Sequence, residues 1–138
     1  MPKQTQQLTT SLGHQMTAFT NDHVGDKIAR NGLYEKENLG LLLELLKKIT
    51  TPVVMDIGAN IGNHTLAFST VANKVLAFEP LPAVYALLDS NVKANHLTNV
   101  QTFPFALSDQ EEEATIYMVK EGNVGASSFD KRDDNVEA

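Results

Sequence analysis

An α/β fold built on a parallel sheet is predicted by three observations. Short apolar runs that read as covered strands alternate with helical stretches from residue 53 to residue 107. Each pair of runs is separated by enough chain for one crossover helix. A glycine-rich turn sits where the first run meets the helix after it. The chain is 138 residues long, with 42% hydrophobic and 20% charged residues, proportions of a single modest domain.

Residues 1–20 are rich in Gln and Thr and poor in large apolar side chains, a composition that repays little of the entropy of ordering and predicts a flexible N-terminal arm. Between Tyr34 and Ile49, the residues Leu39, Leu42, Leu43, Leu46 and Ile49 recur at helical spacing, with Lys47 and Lys48 near the C-terminal end where a helix dipole favours cations. Thr50-Thr51-Pro52 stops that helix, and Val53-Val54-Met55 begins a strand. Thr65 to Ala72 reads as the next helix and Lys74 to Phe78 as the second strand. Pro80-Leu81-Pro82 then turns the chain into a helix from Ala83 to about His96, and a third strand spans Val100 to Leu107, with Pro104 marking a bulge or an unpaired position. Ala114 to Val119 reads as one more strand, ahead of a loop at Gly122-Asn123-Val124-Gly125.

The chain contains no Cys, which removes disulfides, thiolate metal sites and thiol nucleophiles together. No stretch approaches the apolar length of a membrane span, and the N-terminus lacks the apolar segment of a signal peptide. A soluble, cytoplasmic protein without a membrane partner is expected. The net charge of -6 is unevenly placed: residues 1–107 hold 8 acidic and 8 basic residues, residues 108–138 hold 9 acidic and 3 basic. With the cations scattered and the tail acidic, no nucleic-acid partner is expected. His14, His23, His64 and His96 share no metal-ligand spacing with one another or with a carboxylate, so no metal is expected.

The chemistry concentrates in Asp56-Ile57-Gly58-Ala59-Asn60-Ile61-Gly62-Asn63, at the strand-to-helix junction where such sheets bind nucleotides. Gly58 and Gly62 let a ligand approach the backbone, and the helix that follows directs N–H groups at the same place. The loop reads D-x-G-x-N-x-G rather than the G-x-G-x-x-G of dinucleotide sites. An Asp at the strand end opposes a pyrophosphate but suits a ligand carrying an ammonium or sulfonium, and S-adenosylmethionine satisfies that requirement. Glu79 ends the second strand 17 positions after Gly62, where a carboxylate can accept hydrogen bonds from ribose hydroxyls.

These segments resemble the FkbM-type S-adenosylmethionine-dependent methyltransferases, a family of the Rossmann-like class I methyltransferases. The resemblance runs through Gly32-Leu33-Tyr34-Glu35, the Asp56–Gly62 loop with Thr65, Phe78-Glu79-Pro80, Asn91 and Asn95, Ala106-Leu107-Ser108-Asp109, and Gly122-Asn123 to Ser127-Ser128. It covers about residues 28–130. It implies that Asp56, Gly58, Asn60 and Gly62 line the methionine end of the cofactor, Glu79 the ribose, and the segment around Ala106 and Leu107 the adenine, with Ala59, Asn63 and Pro80 also among the cofactor-binding residues. It further implies O-methylation of a small molecule or sugar. No general base is identified among the residues.

Family members continue into a K-x-D-x-E-G motif, which this chain does not contain before Ala138. The expectation is therefore that residues 21–138 form the N-terminal part of an incomplete methyltransferase domain, as a truncated or a natural short form. Its exposed sheet edge would favour self-association. Two other readings stand beside this one: a half-domain that binds S-adenosylmethionine or S-adenosylhomocysteine without catalysis, and an NAD-binding oxidoreductase domain, against which the missing G-x-G-x-x-G counts.

Overall fold

The strand and helix alternation of residues 53–107 folds as a parallel sheet in the computed structural model, which describes residues 3–119, Ser127 and residues 136–137. In chain order the elements are β1 (Thr5–Thr9), β2 (Gln15–Phe19), α1 (His23–Asn31), α2 (Lys36–Leu46), β3 (Val53–Ile57), α3 (Asn63–Ser69), β4 (Lys74–Phe78), α4 (Pro82–Ala94), β5 (Val100–Phe103), β6 (Met118–Val119) and β7 (Val136–Glu137). Strands β3, β4 and β5 are parallel neighbours in that order. This is the expected α/β architecture, with a helix between each pair of strands.

Register decides which side chains each face presents. Val54 pairs with Val75, and Val75 with Val100, so these three branched side chains lie in one row. Leu39 of α2 and Ala67 and Phe68 of α3 pack on that row, and Leu88 and Val92 of α4 close the core beside Ala77. Each fully buried Leu or Val side chain contributes about 1.5 to 3 kcal/mol relative to exposure. On the opposite face of β3, Val53, Met55 and Ile57 remain 60%, 53% and 62% exposed. Farther across that face, Phe78 stacks on Phe103 at 4.8 Å, and Phe105 leans against both rings. Among the described residues, β3 has no partner on its outer edge.

The N-terminal segment differs from expectation. Instead of a flexible arm, β1 and β2 form an antiparallel hairpin, with Thr5 opposite Phe19 and Thr9 opposite Gln15. Met16, Ala18 and Phe19 are buried with Val24 and Ile28 of α1 and Ile61 of the glycine loop. The hairpin has little core of its own and is ordered by what it lies on. Asn91 and Asn95, four residues apart on α4, hold it as a neighbouring strand would. Asn91 accepts from Thr17 N–H at 2.7 Å and donates to Thr17 C=O at 3.0 Å. Asn95 accepts from Gln15 N–H at 2.9 Å and donates to Gln15 C=O at 2.7 Å. Two side-chain amides thus pair with alternate residues of β2, which no hydropathy pattern announces.

Other boundaries move as well. Helix α1, which the apolar periodicity does not predict, is capped by Asp22, whose carboxylate accepts from the N–H groups of Val24 and Gly25. The third strand ends at Phe103 rather than Leu107, because Pro104 has no N–H for the ladder. Of the strand expected over Ala114 to Val119, Met118–Val119 is a paired strand and Tyr117 an isolated bridge, while residues 114–116 pair with nothing among the described residues. The expected loop at Gly122 to Gly125, together with Ser128, lies outside the described residues.

Candidate functional site

The site forms where β3 ends and α3 begins. Both Gly58 N–H and Ala59 N–H donate to Phe78 C=O at 2.9 Å, which ties the loop to the end of β4 and brings Glu79 beneath it. Gly58 has φ +80°, and a Cβ there would meet nothing within 4 Å, so the backbone borders open space. Gly62 has φ +97°, and a Cβ there would stand 2.9 Å from Leu88 Cδ1 and 3.2 Å from Leu66 Cδ1. Both leucines are fully buried, so their methyls can yield only by repacking the core around them. Gly62→Ala is therefore expected to destabilise the protein by about 2 to 4 kcal/mol, combining left-handed strain with overpacking. A urea midpoint equal to that of the parent protein would show that the helix start can shift.

Glu79 is 5% exposed. Its Oε2 accepts from Asn60 N–H and its Oε1 from Leu81 N–H, each at 2.9 Å. A carboxylate offers about four lone-pair directions, so each oxygen keeps capacity for a ligand hydroxyl. Burial pushes its pKa up and the neighbouring Asp56 adds to that rise, while the two backbone donors oppose it. Asp56, half-buried, accepts from Thr65 Oγ1 at 2.5 Å. Its pKa is also raised, chiefly by burial, against the lowering effects of Thr65 and of the nearby His64. Two carboxylates held close together and largely out of water favour a cationic, hydroxyl-bearing ligand.

Of the residues singled out in the sequence, Gly58, Ala59, Asn60 and Asn63 line one pocket of about 250 Å³. Pro80, Ala106 and Leu107 line a separate one of about 1000 Å³, together with Phe105 and Ile116. Asn63 also has a structural role, since its amide accepts from Tyr34 N–H and donates to Tyr34 C=O, both at 3.0 Å. That clip carries Tyr34 and Glu35 into the smaller pocket, beside Val24 and His64. His64 Nε2 lies 3.4 Å from Glu35 Oε2. The sequence motif Gly32 to Glu35 signals these residues without indicating where they go.

The family model of the methyltransferase FkbM domain matches residues 56–137. The chain belongs to the FkbM methyltransferase family. A curated relative, the probable ribosomal RNA small subunit methyltransferase A of Methanosphaera stadtmanae, is 30% identical over 73 residues, 53% of this chain and 27% of that protein. Among solved structures, the tRNA m1G37 methyltransferase of M. jannaschii aligns with TM-score 0.53 and 19% identity over 83% of this chain and 33% of its own. The complex of aTrm5 with tRNALeu gives TM-score 0.54 and 20% identity over 83% of this chain and 31% of its own. The FkbM chain thus shares the class I methyltransferase fold while spanning about a quarter to a third of the length of these proteins.

One expectation is corrected by these relatives. The charge balance of the FkbM chain argues against a nucleic-acid partner, yet the curated relative is named as a ribosomal RNA methyltransferase, and a structure of the same fold is a complex with tRNA. Net charge is a sum over the whole chain, and the exclusion built on it does not hold. Among the described residues, no helix is long and apolar enough to cross a membrane.

Proposed function

We propose that this FkbM chain carries the cofactor-binding part of an S-adenosylmethionine-dependent methyltransferase whose acceptor is a hydroxyl of a small molecule or sugar. The observation that carries the reading is the Glu79 carboxylate bonded under the Gly58–Gly62 loop with hydrogen-bonding capacity left on it, Asp56 near enough to raise its pKa, and open space over Gly58. Glu79 would receive the ribose hydroxyls. Asp56 would face the cationic methionine end, with Gly58, Ala59, Asn60 and Gly62 around it, and Pro80, Ala106 and Leu107 would border the adenine. When bound, S-adenosylmethionine supplies a methyl group activated on a sulfonium. The chain's own residues bind and orient, and their arrangement leaves Tyr34, Glu35 and His64 facing the pocket where an acceptor would meet that group. A second reading, an RNA acceptor, is favoured by the name of the curated relative.

Calorimetric titration with S-adenosylmethionine, S-adenosylhomocysteine and NAD tests the cofactor reading. The first two are expected to bind and NAD is not, because Asp56 opposes a pyrophosphate. Heat with NAD alone would overturn it. Asp56→Asn is expected to weaken both sulfur ligands, and S-adenosylmethionine somewhat more, since the carboxylate also favours its sulfonium at long range.

The same variant has a defined stability signature. The folded-state pKa of Asp56 lies above its unfolded value, so the ligand-free folded protein binds this proton more tightly than the unfolded chain. The resulting destabilisation is absent below the unfolded pKa and grows as pH rises through the folded one. Ligand-free Asp56→Asn, which still offers an oxygen to Thr65, is expected to melt at or above the parent temperature at neutral pH and to converge with it in acid. A lower melting temperature at neutral pH would show that the charge itself supports the fold.

A further inference from the structure

Beside the glycine-loop pocket lies a second cleft of about 700 Å³, between the outer face of α1 and the first turn of α2. Lys27, Arg30 and Asn31 reach it from α1, where spacings of three and four residues place them on one face, and Lys36 and Asn38 reach it from α2. The three cations are exposed, and none forms an ion pair with a described residue. Glu35 and Glu37 also line the cleft, so three cations stand against two carboxylates and the local balance is positive by one charge. This clustering is local, since residues 1–107 carry equal numbers of acids and bases. The cleft is continuous with the cofactor side of the molecule, because Tyr34 and Glu35 line both cavities.

We infer that this cleft is an acceptor subsite that holds a phosphate group of the molecule to be methylated, by Lys27, Arg30 and Lys36. The inference rests on the reading that methyl transfer takes place at the glycine-loop pocket. Three cations with two amide side chains suit a phosphate better than a single carboxylate, for which one guanidinium suffices. Arg30 can grip two phosphate oxygens in parallel, while the lysines act as point charges. An acceptor anchored here would extend past Tyr34 toward the methyl donor. The shared chemistry has two sources, the phosphodiester backbone of an RNA and the phosphomonoester of a phosphorylated sugar.

The test measures binding of a short single-stranded RNA, glucose 6-phosphate and unphosphorylated glucose to the chain saturated with S-adenosylhomocysteine. At least one phosphate-bearing probe is expected to bind and glucose is not. The triple variant Lys27→Ala, Arg30→Ala, Lys36→Ala is expected to lose about tenfold or more in affinity for that probe, and, where the probe is RNA, to flatten its salt dependence by about two in log–log slope. The pair Lys27→Arg, Lys36→Arg should retain binding, which a merely structural effect of substitution would not produce. Affinity for S-adenosylhomocysteine, measured on the same samples, separates the two ideas. Its absence in the parent chain overturns the proposed function, whereas equal probe binding by parent and triple variant, or no phosphate probe bound by the parent, overturns the subsite.

Discussion

Asn91→Leu is expected to lower stability by about 3 kcal/mol or more, a large share of the roughly 5 to 15 kcal/mol that holds a typical domain. The Asn91 side chain is 1% exposed and serves three backbone groups. It accepts from Thr17 N–H, donates to Thr17 C=O and donates to Ile61 C=O at 2.8 Å. Leucine fills similar volume but leaves those groups without a partner, and each buried unsatisfied group costs about 1 to 3 kcal/mol. The third bond gives the change a functional reach, because Ile61 belongs to the loop that carries Asn60 and Gly62. Cofactor affinity should fall with stability. Asn95→Ala is the comparison: its bonds to Gln15 are exposed, water can replace them, and the loss should stay near about 1 kcal/mol or below. Urea unfolding of both variants checks this. A loss at Asn91 as small as that expected at Asn95 would mean that apolar packing, and not these bonds, holds the hairpin.

Glu79→Gln is expected to reduce affinity for S-adenosylmethionine and S-adenosylhomocysteine about tenfold to a hundredfold, corresponding to about 1 to 3 kcal/mol for hydrogen bonds to a charged acceptor. The loss should be equal for the two ligands, which share the ribose. The structure adds a consequence for the ligand-free protein. Both carboxylate oxygens of Glu79 accept backbone N–H groups, one from Asn60 and one from Leu81. An amide has only one oxygen, so its NH2 must face one of those donors. Glu79→Gln should therefore also lower the melting temperature, opposite in direction to Asp56→Asn, even though removing its charge relieves repulsion with Asp56. Calorimetric titration and thermal melting of the two variants side by side check both effects. Unchanged binding in both would place the ligand elsewhere.

The elements most legible in the sequence are those whose side chains are patterned by their own local environment. β4 falls where the apolar run Lys74 to Phe78 puts it, and the glycine loop falls between β3 and α3 as its position after a strand requires. Asp56 and Glu79 stand out for the same reason, since strand ends in a parallel sheet all point to one side. The ordering of residues 5–19 is decided elsewhere. That hairpin is polar on one face, and it is ordered by burial of Met16, Ala18 and Phe19 against α1 and Ile61 and by bonds to Asn91 and Asn95, more than 70 positions along the chain. Asn63 looks like a ligand-loop residue in sequence, yet the fold commits its amide to Tyr34, 29 positions earlier.

Charge shows the same division. Counting acids and bases yields a balanced first 107 residues with an acidic end, and that sum is a property of sequence alone. It does not reveal that Lys27, Arg30 and Lys36 come to line one cleft beside the glycine loop, because their grouping depends on how α1 and α2 meet across residues 32–35. Local periodicity and strand-end chemistry are short-range and can be read along the chain. Hydrogen bonds between distant segments and the clustering of exposed charges exist only once the chain has closed on itself, and here they set the hairpin, the inner wall of the pocket and the cationic cleft.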